Sequence, residues 1–267
     1  MLCFSLQVVH VADDPHVSAR LRGLLAQAAK RAPVMAEDEI RSVAALQVDG
    51  RCSAAPEHLV KAMVRFERRY GGLGYPLVVG STMAYGLDGD ATAYPTPYGP
   101  AFTGILDGDW NWAVDVLADG RTAMAPGAWP SRIIDRSVDQ RLEKHALLAA
   151  VRRWPHRAYE CFTPTDVPPA VCDEPLLPPP VPEASGPADR WWSDEVTAVQ
   201  LTLHGWPPRH DHWIVRVFAR TDRLLAEADD IVRSGIHGGR AKPAGWCELC
   251  LRGLPGRAAC DPAAGRV

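Results

Sequence analysis

The 24 prolines of this chain are spread unevenly, and the densest run constrains the architecture most. From Pro164 to Pro187 the sequence reads Pro-Thr-Asp-Val-Pro-Pro and, from Pro175, Pro-Leu-Leu-Pro-Pro-Pro-Val-Pro. Proline has no amide donor and holds its neighbours extended, so neither a helix nor a central strand runs through such a stretch. It predicts a semi-rigid linker or surface strap over 161–190 between a body at 1–160 and a smaller C-terminal region at 191–267.

The 267 residues are 47% hydrophobic and 23% charged, a globular composition that excludes a wholly disordered chain. A net charge of −3 does not supply the basic surface of a general nucleic-acid binder, so no direct nucleic-acid partner is expected. No apolar run approaches the ~20 residues of a membrane helix, so no membrane partner is expected. The N-terminal stretch Met1 to Val11 lacks a basic lead, and the 7 cysteines are scattered. The expected location is the cytoplasm.

Helical spacing predicts helices over 17–31 and 37–46. A stronger pattern runs from Pro56 to Tyr70, where Leu59, Met63, Phe66 and Tyr70 form one stripe and Gly71-Gly72 ends it. Strands are expected at 75–79, 101–106, 110–118 and 121–125. Asp107-Gly108-Asp109 and Asp119-Gly120 provide the turns of an antiparallel meander. Ser137 with Gln140 predicts a capped helix over 138–153, closed by Trp154-Pro155. In the C-terminal region, 197–203 and 213–219 read as strands and 221–232 as a helix. The predicted fold class is α+β: a twisted antiparallel meander packed with helices, plus a smaller ββα piece.

The run Phe66-Glu67-Arg68-Arg69-Tyr70-Gly71-Gly72-Leu73, then a meander, then Ser137-Val138-Asp139-Gln140-Arg141-Leu142-Glu143 at a capped helix, resembles the SUKH superfamily. That superfamily holds cell-wall-synthesis regulators and bacterial toxin-immunity proteins. The resemblance spans roughly 37–153. It leaves out the first thirty or so residues, the Thr82–Pro100 stretch rich in Tyr, Gly and Pro, and everything after Pro187. It implies a non-enzymatic protein-binding role, such as an antitoxin neutralising a cognate toxin.

Loops and turns carry function more often than core positions, so the candidate protein-binding residues are Asp107, Asp109 and Trp110 at the meander turn, with Tyr94 and Tyr98. The ordinary reading of the paired aspartates is turn chemistry; the functional one is an acidic rim that attracts a basic partner. Trp112 is expected in the core. Trp191 and Trp192 are adjacent, so on a strand both are buried only if it is sandwiched. Cys247 and Cys250 have CxxC spacing, and with Cys260 and His237 they form a candidate metal set, zinc being the cofactor considered. No second CxxC completes a finger, and buried free cysteines are common. A zinc-binding enzyme or zinc-stabilised module is therefore the alternative to a protein-binding module without cofactor.

Overall fold

The computed structural model describes residues 8–78, 81–87, 89, 91–107, 112–125, 131–161, 176–204, 212–235 and 240–241. The fold is α+β, and the chain divides into two compact units with the boundary after Ala146.

The first unit opens with a 3-10 turn (Val11–Asp13) and helix α1 (Ala19–Ala28), capped by Ser18, whose Oγ accepts from Leu21 N at 3.0 Å. The helix expected to reach Arg31 stops earlier, because Lys30–Arg31 form strand β1. Helix α2 (Glu37–Val43) is likewise shortened, since Ala45–Val48 is strand β2. A hairpin joins β2 to β3 (Arg51–Ala54) through Asp49 and Gly50, both at positive φ. Helix α3 (Glu57–Tyr70) follows the expected stripe and buries Leu59, Met63 and Phe66.

Strands β4 (Leu73–Val78), β5 (Ser81–Tyr85), β6 (Thr92–Thr96), β7 (Gly99–Asp107), β8 (Trp112–Leu117), β9 (Thr122–Met124) and β10 (Arg132–Asp135) complete the sheet. The meander is present as β7, β8 and β9. Strand β7 is its spine. One edge pairs with β8; the other pairs with β6 near Gly99 and with β5 near Asp107. Outward from these lie β4 and β1 beyond β5, β2 and β3 beyond β6, and β9 and β10 beyond β8. The Thr82–Pro100 stretch thus supplies β6 and most of β5 to the sheet.

Helix α3 packs on β7. The Phe66 ring meets Phe102 edge-on at 5.6 Å between centroids. Its C-terminus explains the Gly-Gly pair. Gly72 has φ +71°, and a Cβ there would lie 2.2 Å from the Ala32 carbonyl oxygen. Gly71 has an ordinary φ, but its Cβ would lie 2.4 Å from the Glu67 carbonyl oxygen. Only Gly72 needs the left-handed conformation; both need the missing side chain.

Helix α4 (Val138–Val151) starts at Ser137, whose Oγ accepts from Gln140 N at 3.1 Å. The unit boundary falls inside this helix, upstream of the 161–190 segment expected as a linker. The second unit holds the end of α4, β11 (His156–Cys161), a 3-10 turn (Pro182–Ala184), β12 (Asp189–Ser193), β13 (Thr197–His204), β14 (His212–Ala219), α5 (Asp222–Gly235) and β15 (Arg240–Ala241). Its sheet runs β12-β13-β14-β11-β15, all antiparallel, and is larger than the expected ββα piece.

On one face Val199, Leu201, Val215 and Val217 pack with Leu225, Ala228 and Val232 of α5. On the other, Trp191, Ala198 and Phe218 pack with Leu148, Val151 and Ala184. Trp191 and Trp192 therefore serve opposite layers of a sandwiched strand. Trp191 stacks on Phe218 at 6.2 Å, and Trp192 is half-buried on the α5 side. The described part of the proline run is built into this unit: Val181 N donates to Trp191 O at 2.8 Å and Ser193 N to Pro179 O at 2.9 Å. Proline lacks a donor, which confines it to such edges rather than excluding it from a sheet. Among the described residues no helix is long and apolar enough to cross a membrane.

Two glycine substitutions separate φ from crowding. Gly50 has φ +75°, and a Cβ there would meet nothing within 4 Å. Gly50→Ala is expected to cost about 1 kcal/mol, the left-handed penalty alone. Gly72→Ala is expected to cost about 3 kcal/mol or more, since backbone must also move. Urea denaturation of both variants checks this; equal losses would contradict it.

Candidate binding surface

Strand β6 ends in Tyr94-Pro95-Thr96, with Pro97-Tyr98 following at the turn, and Pro95 pairs with Pro100 across the hairpin to β7. Two prolines in register leave that pair no amide donors, so side chains help to hold the turn. The Thr96 Oγ1 donates to Gly99 O at 2.7 Å and accepts from Tyr98 N at 3.2 Å. Tyr98 donates its hydroxyl to Ser131 O at 3.1 Å, yet the residue stays 40% exposed. Its ring is thereby pinned at one end while remaining open to solvent.

Behind the turn, Tyr94 donates its hydroxyl to Asp115 of β8, with Thr103 Oγ1 3.5 Å away. Burial pushes the Asp115 carboxyl above its usual range, and the Tyr94 hydrogen bond opposes only part of that shift. Burial and the Asp115 carboxylate push the Tyr94 hydroxyl up as well. Asp115 is therefore not a turn aspartate like its neighbours in sequence; it lies within a strand and orients Tyr94.

The expected binding residues do not all converge. Tyr94 and Tyr98 sit beside the start of β7, whereas Asp107 ends it, roughly 25 Å along at strand rise. Asp107 is also only 3% exposed, because β7 extends through it and pairs it with Met83 and Trp112. It is not part of an exposed acidic rim. Asp109, Trp110, Cys247, Cys250, Cys260 and His237 lie outside the described residues. Among the described residues, no cluster of three or more His, Cys, Asp or Glu is arranged to hold a metal ion. The buried cysteine of β11 is poorly suited to thiolate chemistry, since burial pushes the Cys161 thiol up to about 12.

A second polar cluster lies deeper in the first unit. Asp135 is fully buried between Lys144 Nζ at 2.6 Å, Arg141 at 3.0 Å and Thr122 Oγ1 at 2.6 Å. Beside it Tyr75 bridges Tyr85 at 2.7 Å and His145 at 2.8 Å. Burial alone would raise the Asp135 carboxyl, but the two cations outweigh it and hold the group well below the usual range. These groups are consumed in holding α4 to the sheet. Helical spacing alone makes His145 a partly exposed side chain; it is buried and bonded.

No protein-family model matches this chain, and no curated protein or solved structure matches it either.

The two carboxylates have opposite linkage signs. Asp135 has a depressed folded-state pKa, so its stabilisation is present above the unfolded value of about 4 and is lost as pH falls below it. Asp115 has a raised one, so its charged form costs stability at neutral pH and that cost is relieved as pH falls. Asp135→Asn is expected to lose about 3–5 kcal/mol at pH 7 and to flatten the acid limb. Asp115→Asn is expected to leave stability at pH 7 unchanged or raised. Chemical denaturation from pH 3 to 7 measures both; losses of the same sign would contradict the assignment.

Proposed function

We propose that this chain is a non-enzymatic protein-binding module, acting as an immunity protein that binds and neutralises a cognate bacterial toxin in the cytoplasm. The observation that carries the binding role is the pinned, exposed Tyr98 on a proline-stiffened hairpin. Tyrosine supplies a large amphipathic contact at low conformational cost, and a ring already fixed loses little more on binding. Pro95 and Pro97 beside it are exposed and equally restricted. Tyr94 behind them, anchored on Asp115, stiffens the same hairpin. The immunity form of the role rests on the SUKH-like run from Phe66 to Leu73 and the capped helix at Ser137.

The mechanism is occlusion: the hairpin seats against the toxin and blocks its working surface, with no covalent step. Titration calorimetry of the full chain with the toxin domain encoded beside its gene tests this. A stable complex is expected, weakened roughly tenfold or more by Tyr98→Ala, the loss typical of a central aromatic contact. No complex, or equal affinity for Tyr98→Ala, would overturn the reading.

A further inference from the structure

A groove in the second unit takes no part in the Tyr98 surface. Its floor is the start of β13 at Thr197 and Val199, one wall is the α5 face carrying Leu224, Ala228 and Ile231, and the other is the stretch 176–179. The cavity is about 400 Å³, within the ~300–1,000 Å³ of small-ligand sites. At its mouth Leu176 is 68% and Val196 38% exposed, so apolar surface stands open there. The proline wall is held in place by the Pro179–Ser193 and Val181–Trp191 main-chain bonds and by pairing of Pro180 with Trp192. Little of it has to be ordered when a ligand binds.

The charges on this groove are of one sign. Among the described residues its lining includes the carboxylates of Asp194 and Glu227 and no lysine or arginine. Hydrogen bonds from Val196 N at 2.8 Å and Thr197 N at 2.7 Å hold the Asp194 carboxyl below its usual range despite some burial, so it is ionised at neutral pH. Glu227 pairs with Arg223 one turn away at 3.2 Å, but both are exposed, and such a pair exchanges readily. Arg220 is turned elsewhere: it donates to Glu195 O and lies over the Trp154 ring.

The geometry points to a docking groove for a short extended segment of a partner polypeptide, in which an apolar side chain is flanked by lysine or arginine. From Leu224 to Ile231 the helix wall rises about 10 Å, the span of about three extended residues. The apolar side chain enters between α5 and the proline wall, and the basic neighbours meet Asp194 and Glu227. This groove is independent of the hairpin reading, and its failure would leave that reading standing.

Fluorescence anisotropy tests it with the full chain and short capped, dye-labelled peptides that differ only at the centre: Arg-Leu-Lys, Glu-Leu-Glu or Arg-Ser-Lys. Saturable binding is expected for the first alone, weakening as salt screens the charges. Glu227→Lys alters an exposed side chain, so the protein is expected to fold, and affinity to fall roughly fivefold. Ile231→Glu is expected to abolish binding, while the exposed Glu57→Lys in the first unit leaves it unchanged. Equal binding of the Glu-Leu-Glu peptide, or indifference to Glu227→Lys, overturns the proposal. So does saturable binding of none of the peptides, whether another stretch of the chain fills the groove or a second copy does, the latter visible as self-association in sedimentation.

Discussion

The carboxylate of Glu67 ties together three parts of the first unit. It is buried near the end of α3, where Oε1 accepts from Met35 N at 3.0 Å and Oε2 from Leu87 N at 2.9 Å. Those amides belong to the approach to α2 and to the turn after β5. Without the carboxylate each would lack that acceptor in a partly buried site, at a cost of about 1–3 kcal/mol per group. The close approach that makes these bonds also explains the neighbouring glycines, since a Cβ on Gly71 would meet the Glu67 side chain at 2.7 Å.

The named positions of the Phe-Glu-x-x-Tyr-Gly-Gly-Leu run therefore each have a physical task inside the fold. Phe66 fills the space above Gly104 and Phe102; Tyr70 donates to Asp139 at 2.9 Å, at the start of α4; Leu73 is buried at the head of β4. The run from Phe66 to Leu73 is a structural clamp. The exposed hairpin at Tyr98 lies well downstream of that clamp in sequence and takes no part in it.

Much of this is legible in the sequence. Helix α3 declares itself through its stripe and its glycine stop, and α4 through Ser137 and Gln140. Strands β7, β8 and β9 follow from Asp-Gly turns. Two unexpected kinds of element differ in cause: the two-residue β1 is held by its pairing with β4, distant in sequence, whereas β2 and β3 are joined by Asp49-Gly50, a local turn signal of the same kind as those of the meander. Strand β11 pairs in the second unit although it precedes the proline run, which by composition marks a domain end. The described part of that run instead lines an edge of the second sheet, at Pro179 to Val181 beside β12, where fewer donors are needed than in an interior strand. The exposure expected of turns and loops places Tyr98 at the surface, where it is. It misleads at Asp107, where the strand continues through the residue and buries it, and nothing local announces the bond between Asp115 and Tyr94, which are distant in sequence.

Amide hydrogen exchange in Glu67→Gln measures the clamp most directly. The substitution keeps the shape of the side chain but leaves one acceptor oxygen where two amides are served. At least one of the Met35 and Leu87 amides is expected to lose its protection, with the α3 interior still protected and global stability lower by about 1–3 kcal/mol. Wild-type protection at both amides, with unchanged stability, would contradict the assignment of this run to the scaffold.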